Sequence, residues 1–228
     1  MEAWKKLTKL KKKVFDFLTH PKTALVSILG SAIIFLSAVT IGYFVAQLDP
    51  DGYNIVDNFI SDMGSFNHTP CPYFLDFGAM ITSFLLIPYF LYLDKVLAPY
   101  PRGESEPELV SRLRLRLSSY GLLFSFISMF GFFGIGFFSE DRSDILAAIG
   151  LPGLHGPFSY IVFGGLVLTG IFFGLLIVLF RTKVPKIIGL YMIFVPVIPG
   201  ISFVAQVDPS RPFWEWMLMF AIFAWIIP

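Results

Sequence analysis

Five long stretches without a charged residue constrain this sequence more than any other feature. They run over residues 23–48, 77–93, 117–139, 156–180 and 187–207. Each is near the roughly 20 apolar residues that a helix needs to cross a bilayer. A sixth stretch begins at Trp216 and is still apolar at Pro228, so we expect its helix to continue beyond that residue. The pattern predicts a chain that crosses the bilayer six times.

The composition favours the same class of protein. Hydrophobic residues make up 56% of the 228 residues, charged residues make up 14%, and the mean hydropathy is +0.74. Soluble domains carry about 25% charged residues. The predicted fold class is therefore all-α, a polytopic transmembrane helical bundle with six spans. We place the spans at about residues 23–48, 74–94, 117–138, 156–180, 187–206 and 213–228, with a kink or break at Pro196 and Pro199 in the fifth.

The basic residues predict the orientation of these spans. All but two of the 17 lysines and arginines precede the first span, join the second to the third, or join the fourth to the fifth. Only Arg142 and Arg211 fall in the other loops. Cytoplasmic loops carry an excess of Lys and Arg, so we expect a cytoplasmic amino terminus in a cell membrane. The acidic loops then face outward. No predicted span interior contains an acid, which argues against an ion pump or a proton-coupled transporter.

The first 21 residues differ from the rest of the chain. Lysines alternate with Trp4, Leu7, Leu10 and Val14 at a helix-like spacing. Such a basic amphipathic helix would lie on the inner leaflet and be attracted to anionic head groups, although the same lysines could serve only to set the topology. We therefore divide the chain into a cytoplasmic amphipathic helix, residues 1–21, and a six-span membrane domain, residues 22–228.

The acidic loop, residues 47–72, lies between the first two predicted spans and is the most polar stretch on the outer side. It contains four aspartates and His68. Apolar residues at helical spacing predict a short helix from Tyr53 to Met63, which ends at Gly64. On that helix Asn58, Ser61 and Asp62 would share one face. These three residues are candidate contacts for a ligand.

Two further outer segments contribute candidate residues. Phe44-Val-Ala-Gln-Leu-Asp-Pro50 closes the first span, and Phe203-Val-Ala-Gln-Val-Asp-Pro209 closes the fifth. This internal repeat favours an ancient duplication, although a local rule for ending helices could produce the same pattern. It adds Gln206 and Asp208 to the candidate binding residues. The loop after the third span adds Asp141, and His155 follows at the outer start of the fourth.

Short motifs in these loops resemble known membrane families. Phe59-Ile-Ser-Asp-Met-Gly64, with later Pro, Phe and Gly residues, resembles the motif after the first span of the six-span family called domain of unknown function 998. Phe137-Phe-Ser-Glu-Asp141 and His155 are similar to that family's Phe-Pro-x-Asp and later His, with Ser139 in place of the proline. The first motif also looks like the Ile-Ser-Asp-x-Gly segment of the Frag, DRAM and Sfk group. The first resemblance implies no established activity, and the second implies an association with lipids.

The outer cluster could support two kinds of chemistry. Asp62 and His155 are the candidate catalytic pair, since a carboxylate and an imidazole can act as general acid and base. His68, His155 and Asp62 could instead ligate a metal such as zinc, because imidazole and carboxylate are its usual ligands beside thiolate. The alternative for each residue is a structural role in capping helices and fixing loops. No cofactor follows from the motifs.

Three functions follow as hypotheses. The first is binding or modification of a lipid head group at the extracytoplasmic face, with Arg142 and Arg211 as phosphate contacts. The second is a metal-assisted membrane hydrolase or transferase. The third is a non-enzymatic accessory or structural subunit, whose Gly170 and Gly174 face would pack against helices of other subunits. We expect membrane lipids as partners and no nucleic acid.

Overall fold

The computed structural model describes residues 2–98 and 111–227, and within them it contains helices and no strands. The α-helices are α1 (Glu2–Leu18), α2 (Pro21–Ala46), α3 (Tyr73–Leu97), α4 (Arg112–Phe137), α5 (Glu140–Ala148), α6 (His155–Leu179), α7 (Lys186–Phe194), α8 (Val197–Ala205) and α9 (Arg211–Ile226). A short 3-10 helix, Ile60–Gly64, lies in the acidic loop. The all-α prediction is confirmed.

Five of these elements are long and apolar enough to cross a membrane. They are α2, α3, α4, α6 and the pair formed by α7 and α8, with mean hydropathies from 1.7 to 2.6. These lengths support an integral membrane protein that crosses the bilayer several times. The helix α9 has 16 residues and is shorter than a typical span. The sixth span and the orientation of the amino terminus stay predictions.

The helices of the bundle pack side by side around an aromatic core. The helix α4 packs between α3 and α6, α2 packs on α3, and α6 packs on α7. Phe35 of α2 lies at the centre, with its ring 5.0 Å from that of Phe132 on α4 and 5.1 Å from that of Phe223 on α9. Aromatic pairs at these distances add to the stability that burial alone provides. The three helices therefore share one buried core.

The predicted break in the fifth span is observed. The helix α7 ends at Phe194, residues 195 and 196 form a turn, and α8 begins at Val197. Pro196 and Pro199 have no N–H group, so the carbonyls of Met192 and Val195 lose their partners within the helix. The two halves then contact different neighbours. The helix α7 packs on α6, whereas α8 packs chiefly on α9.

Side-chain hydrogen bonds join the helices at the basic end of the bundle. At the basic end, the Nζ atom of Lys95 donates to Oγ1 of Thr19 at 2.8 Å, and Nε of Arg114 donates to the carbonyl of Leu97 at 2.8 Å. These bonds join the junction of α1 and α2 to the end of α3, and α4 to the same end. Apolar side chains of α1 such as Trp4 stay exposed. The contact of α1 with the inner leaflet of the membrane stays a prediction.

The Gly170 and Gly174 face packs within this chain. A methyl group added at Gly174 would lie 2.7 Å from the carbonyl oxygen of Gly189 on α7, and one at Gly170 would lie 3.0 Å from that of Met192. The sequence analysis assigned this face to other subunits. The structure instead uses it for the contact between α6 and α7, because only glycine permits the two backbones to approach so closely.

We expect Gly174→Ala to destabilise the protein by about 1–3 kcal/mol, because the added methyl group forces the two backbones apart. Gly164→Ala is the matched control. Gly164 lies on the same helix, and a methyl group there meets no atom within 4 Å. Thermal unfolding in detergent should show a lower Tm for Gly174→Ala and an unchanged or higher Tm for Gly164→Ala. Equal Tm values for the two variants would contradict this packing.

Candidate functional site

Carboxylates from α5 and α9 hold the acidic loop onto the bundle. Oε2 of Glu215 accepts the backbone N–H of Ile60 at 2.8 Å, and Oε1 of Glu140 accepts the hydroxyl of Ser61 at 3.0 Å. Asp141 accepts the hydroxyl of Ser65 at 2.7 Å. A carboxyl group accepts hydrogen bonds from N–H and O–H donors whether or not it is ionised. The candidate site is therefore built where these loops meet at one end of the bundle, which we call the acidic end.

The predicted helix in the acidic loop is shorter than expected. Oδ1 of Asn54 accepts the backbone N–H groups of Val56 and Asp57 at 2.9 and 3.0 Å. This side-chain turn competes with helix formation, so only Ile60–Gly64 is helical. Asn58 lies before that helix, and its carbonyl accepts the indole N–H of Trp216 at 3.1 Å. Its side chain also hydrogen-bonds the carboxyl group of Asp62.

Asp62, His68 and Glu140 form a group that could hold a metal ion. One potential ligand atom from each lies within 4.8 Å of the others. Asp62 is buried, and its Oδ2 accepts the backbone N–H of Phe59 at 2.8 Å. Burial raises the pKa of Asp62, and it raises the pKa of Glu140 to about 7 with a further contribution from the charge of Asp62. The sequence prediction named His155 where the structure places Glu140.

His155 begins α6 beside this group. Its Nδ1 lies 2.9 Å from the carbonyl oxygen of Phe138, and its backbone N–H donates to Oγ of Ser143 at 2.8 Å. Its Nε2 is buried without a hydrogen-bond partner. His155 and Asp62 are close enough to interact electrostatically. The predicted catalytic pair is thus brought to the same region, with one imidazole nitrogen available to a ligand.

A groove of about 800 Å³ opens between α6, α8 and α9. The polar residues that line it from the helices are Glu140, Ser143, Asp144, His155, Ser159, Tyr160, Arg211 and Glu215, and Ser61 lines it from the acidic loop. The apolar ones include Phe163, Val167, Leu168, Val197, Ile201 and Leu218. The polar set comes from α5 and from the first turns of α6 and α9, so it gathers at the acidic end. Most of the apolar set comes from the parts of these helices nearer the middle of the bundle, and Phe203, Val204 and Ala205 line the groove from the end of α8.

A second, smaller cavity lies deeper in the bundle. It measures about 50 Å³, and Ser61, His155, Ser159 and Glu215 line it as well as the groove. Asp76 also lines the cavity. A space of this size can hold water, which needs polar partners of the kind these residues offer. The buried carboxyl groups of Asp76 and Glu215 therefore line a cavity whose walls are otherwise mostly apolar.

The two outer arginines have different surroundings. Arg142 lies 3.5 Å from Asp76, and its Nη1 donates to the carbonyls of Gly136 and Phe137 at 2.9 and 2.7 Å. Arg142 therefore neutralises a buried acid and caps the end of α4. Arg211 lines the groove, and its guanidinium carbon lies 4.8 Å from the ring centroid of Phe203. Arg211 is consequently the arginine that a ligand in the groove would meet.

Several candidate residues lie apart from the groove. Gln206 ends α8 in the left-handed conformation and is exposed, as is Asp208. Neither residue lines the groove or the smaller cavity. In the first copy of the repeat, Gln47 is right-handed and its amide donates to the carbonyl of Tyr53 at 2.6 Å. The two copies of the repeat therefore end their helices in different ways.

The sequence analysis missed three acids that the structure places at this site. Glu140 and Asp144 line the groove from α5, a helix that was predicted only as a loop. Glu215 lies in the first turns of α9 and is 4% exposed. The helix α3 buries Asp76 near its start and Asp94 near its end, at the two borders of the predicted second span. An acid flanked by aromatic residues, as in Trp214-Glu215-Trp216, was the available signal for Glu215.

Comparison with protein-family models, with curated proteins and with solved structures finds no match for this chain. The resemblance to the domain of unknown function 998 family and to the Frag, DRAM and Sfk group therefore rests on the short motifs alone.

We expect Arg142→Gln to destabilise the protein by about 1–3 kcal/mol, because it leaves the carboxyl group of Asp76 buried without its partner. Asp76 is 4% exposed, so bulk water does not reach it, and only water in the small cavity could replace part of the lost contact. The Asp76→Asn/Arg142→Gln double variant should recover part of the loss. Thermal unfolding of Asp76→Asn, Arg142→Gln and the double variant measures the coupling energy between the two residues. Strictly additive losses would contradict a direct interaction.

Proposed function

We propose that this protein binds a membrane lipid in the groove between α6, α8 and α9, with the lipid head group at the acidic end. The observation that carries this proposal is the distribution of polarity along the groove. Polar and charged side chains gather at one end, and apolar side chains line the remainder. An amphipathic molecule with a polar head and an apolar chain matches that distribution. We assign the acidic end to the extracytoplasmic face of the cell membrane, as the basic residues predict.

The length of the groove supports a lipid rather than a small soluble ligand. It follows α6 from His155 to Leu168. Thirteen residues of helix rise by about 20 Å. One leaflet contributes about 15 Å of the roughly 30 Å hydrocarbon core. The groove therefore has about the length of one leaflet with its head groups included, roughly 20 Å, and its volume of about 800 Å³ lies within the usual range for ligand sites.

Two glycines that line the groove are positions where a larger side chain would fill it. Gly164 and Gly200 both line it, on α6 and α8. A methyl group at Gly164 would meet no atom within 4 Å, and one at Gly200 would meet only Leu218, at 3.9 Å. A large side chain at either position would project into the groove without a steric clash at its base. Bound lipid and such a side chain would then compete for the same space.

We expect Gly164→Trp and Gly200→Trp to lower the amount of co-purifying lipid by about tenfold or more, which corresponds to about 1.4 kcal/mol or more of lost affinity. Native mass spectrometry of the protein released from detergent measures the retained lipid. Val26→Trp is the control, because Val26 is 71% exposed on α2 and does not line the groove. Equal lipid retention by all three variants and the unchanged protein would contradict lipid binding in the groove.

A second candidate function is a metal-assisted hydrolase or transferase that acts on such a lipid. The observation that favours it is the group Asp62, His68 and Glu140. Glu140 also lines the groove, so a metal held by the three residues would lie beside the head group. Each carboxylate has one oxygen engaged, by Phe59 N–H or by the Ser61 hydroxyl. Such outer contacts orient metal ligands.

The donor set suits zinc or a similar divalent ion. Imidazole and carboxylate ligands bind zinc at about 2.0–2.2 Å, and a catalytic site has three protein ligands with one open position. The donor atoms would have to move together by roughly 1 Å to reach such bond lengths. When bound, the metal would supply an activated water for attack on an ester or phosphodiester. His155 could position or exchange a proton through its unpartnered Nε2.

After chelation and incubation with Zn²⁺, we expect the protein to retain about one zinc ion per chain. We expect His68→Ala to lower the zinc affinity by tenfold or more, because a metal site with two protein ligands is weaker than one with three. His20→Ala at the basic end is the control. Elemental analysis by inductively coupled plasma mass spectrometry measures the bound metal. Identical zinc content in His68→Ala and His20→Ala would exclude this site.

A further inference from the structure

We propose that the groove selects a zwitterionic phospholipid, whose phosphate binds Arg211 and whose ammonium group binds the carboxylates of Asp144 and Glu140. This inference rests on the proposed function, and it names the class of lipid. It follows from the charges at the polar end of the groove, which carries both a cation and carboxylates among its lining residues.

Arg211 is prepared to bind an anion. Its Nη2 donates to the hydroxyl of Tyr160 at 2.8 Å, and its guanidinium lies over the ring of Phe203. Both neighbours line the groove and fix the direction of the guanidinium. Its Nε is buried and has no hydrogen-bond partner. Within residues 2–98 and 111–227, no carboxylate lies within 4.0 Å of Arg211. A guanidinium with unused donors in a partly buried site is a favourable contact for phosphate.

The carboxylates of α5 supply the opposite charge. Asp144 is exposed to the groove, and its carboxylate has no hydrogen bond to the part of the chain that the structure describes. Glu140 uses one oxygen for the hydroxyl of Ser61 and keeps the other. Glu215 also lines the groove, but one of its oxygens already holds the backbone of Ile60. Asp144 and Glu140 are therefore the acids most available to an ammonium group.

These charges discriminate between classes of lipid. An anionic lipid without an amine would satisfy Arg211 but would bring its phosphate near uncompensated carboxylates, which repel it. A neutral lipid such as a diacylglycerol would leave the unused donors of Arg211 without a partner. A phosphate joined to an ammonium group satisfies both signs of charge at once. Opposed charges of this kind determine specificity more than they raise total affinity.

Arg142 does not offer a second site of this type. Its guanidinium is engaged by Asp76 and by two carbonyls at the end of α4, and it does not line the groove. The phosphate contact therefore depends on Arg211 alone, which makes it accessible to a single substitution.

The experiment is a competition among lipids with identical acyl chains. The full chain is purified in detergent and exposed to an equimolar mixture of phosphatidylethanolamine, phosphatidylcholine, phosphatidylglycerol and diacylglycerol. Native mass spectrometry then measures which lipids are retained. The variants are Arg211→Gln and Asp144→Asn. Their matched controls are Arg181→Gln at the basic end and Asp208→Asn, an exposed acid that does not line the groove.

We expect the unchanged protein to retain the two zwitterionic lipids about tenfold more than phosphatidylglycerol or diacylglycerol. Arg211→Gln should lower the retention of all three phospholipids about tenfold and leave diacylglycerol unchanged. Asp144→Asn should narrow the preference for zwitterionic over anionic lipid several-fold, because the repulsion of the anionic lipid is weaker. The two control variants should match the unchanged protein.

The outcomes separate this inference from the proposed function. If no lipid of any class is retained, or if Gly164→Trp retains as much as the unchanged protein, lipid binding in the groove is wrong. If lipid is retained and Gly164→Trp removes it, but the four lipids bind equally or phosphatidylglycerol binds best, only the selection of a zwitterionic head group is overturned. An Arg211→Gln variant with unchanged phospholipid retention would also overturn it.

Discussion

The acceptance of hydrogen bonds by carboxylates at the acidic end is the interaction on which the rest of the structure depends. Glu215, Glu140 and Asp141 each receive an N–H or O–H group from the acidic loop. The loop has no lysine or arginine of its own. Carboxylates can nevertheless fix it because they accept several hydrogen bonds each and bind most strongly to donors in sites shielded from water. The loop then covers the ends of the helices and bounds the groove.

This arrangement gives the acids at the groove two uses. Glu215 and Glu140, which hold the loop, also line the polar end of the groove, so a ligand there would contact residues whose positions are already fixed. The two arginines divide in the opposite way. Arg142 is committed to Asp76 and the end of α4, whereas Arg211 is held by aromatic side chains and retains free donors. The two arginines therefore differ in role: Arg142 stabilises the fold, whereas Arg211 keeps donors that the protein does not use.

The sequence predicted the features that depend on length and composition, and it did not predict those that depend on contacts between distant segments. Apolar runs locate the helices, and two prolines locate the break between α7 and α8. The groove could not be predicted, because α5, α6, α8 and α9 contribute to it from separate parts of the chain. Nearly identical motifs also adopt different structures, since Gln47 and Gln206 end their helices in different conformations. The Gly170 and Gly174 motif predicts a close helix contact without identifying the partner helix.

The break at Val195 and Pro196 has a consequence for the kinetics of ligand exchange. The helix α7 is held against α6 through closely packed glycines, while α8 forms one wall of the groove and contacts chiefly α9. Of the nine residues of α8, only Pro199 is buried. The wall can therefore move by a hinge at the break while the packing of α6 on α7 stays intact. Under the proposed function, the rate at which a lipid leaves the groove would depend on the few contacts of α8 more than on the global stability of the bundle.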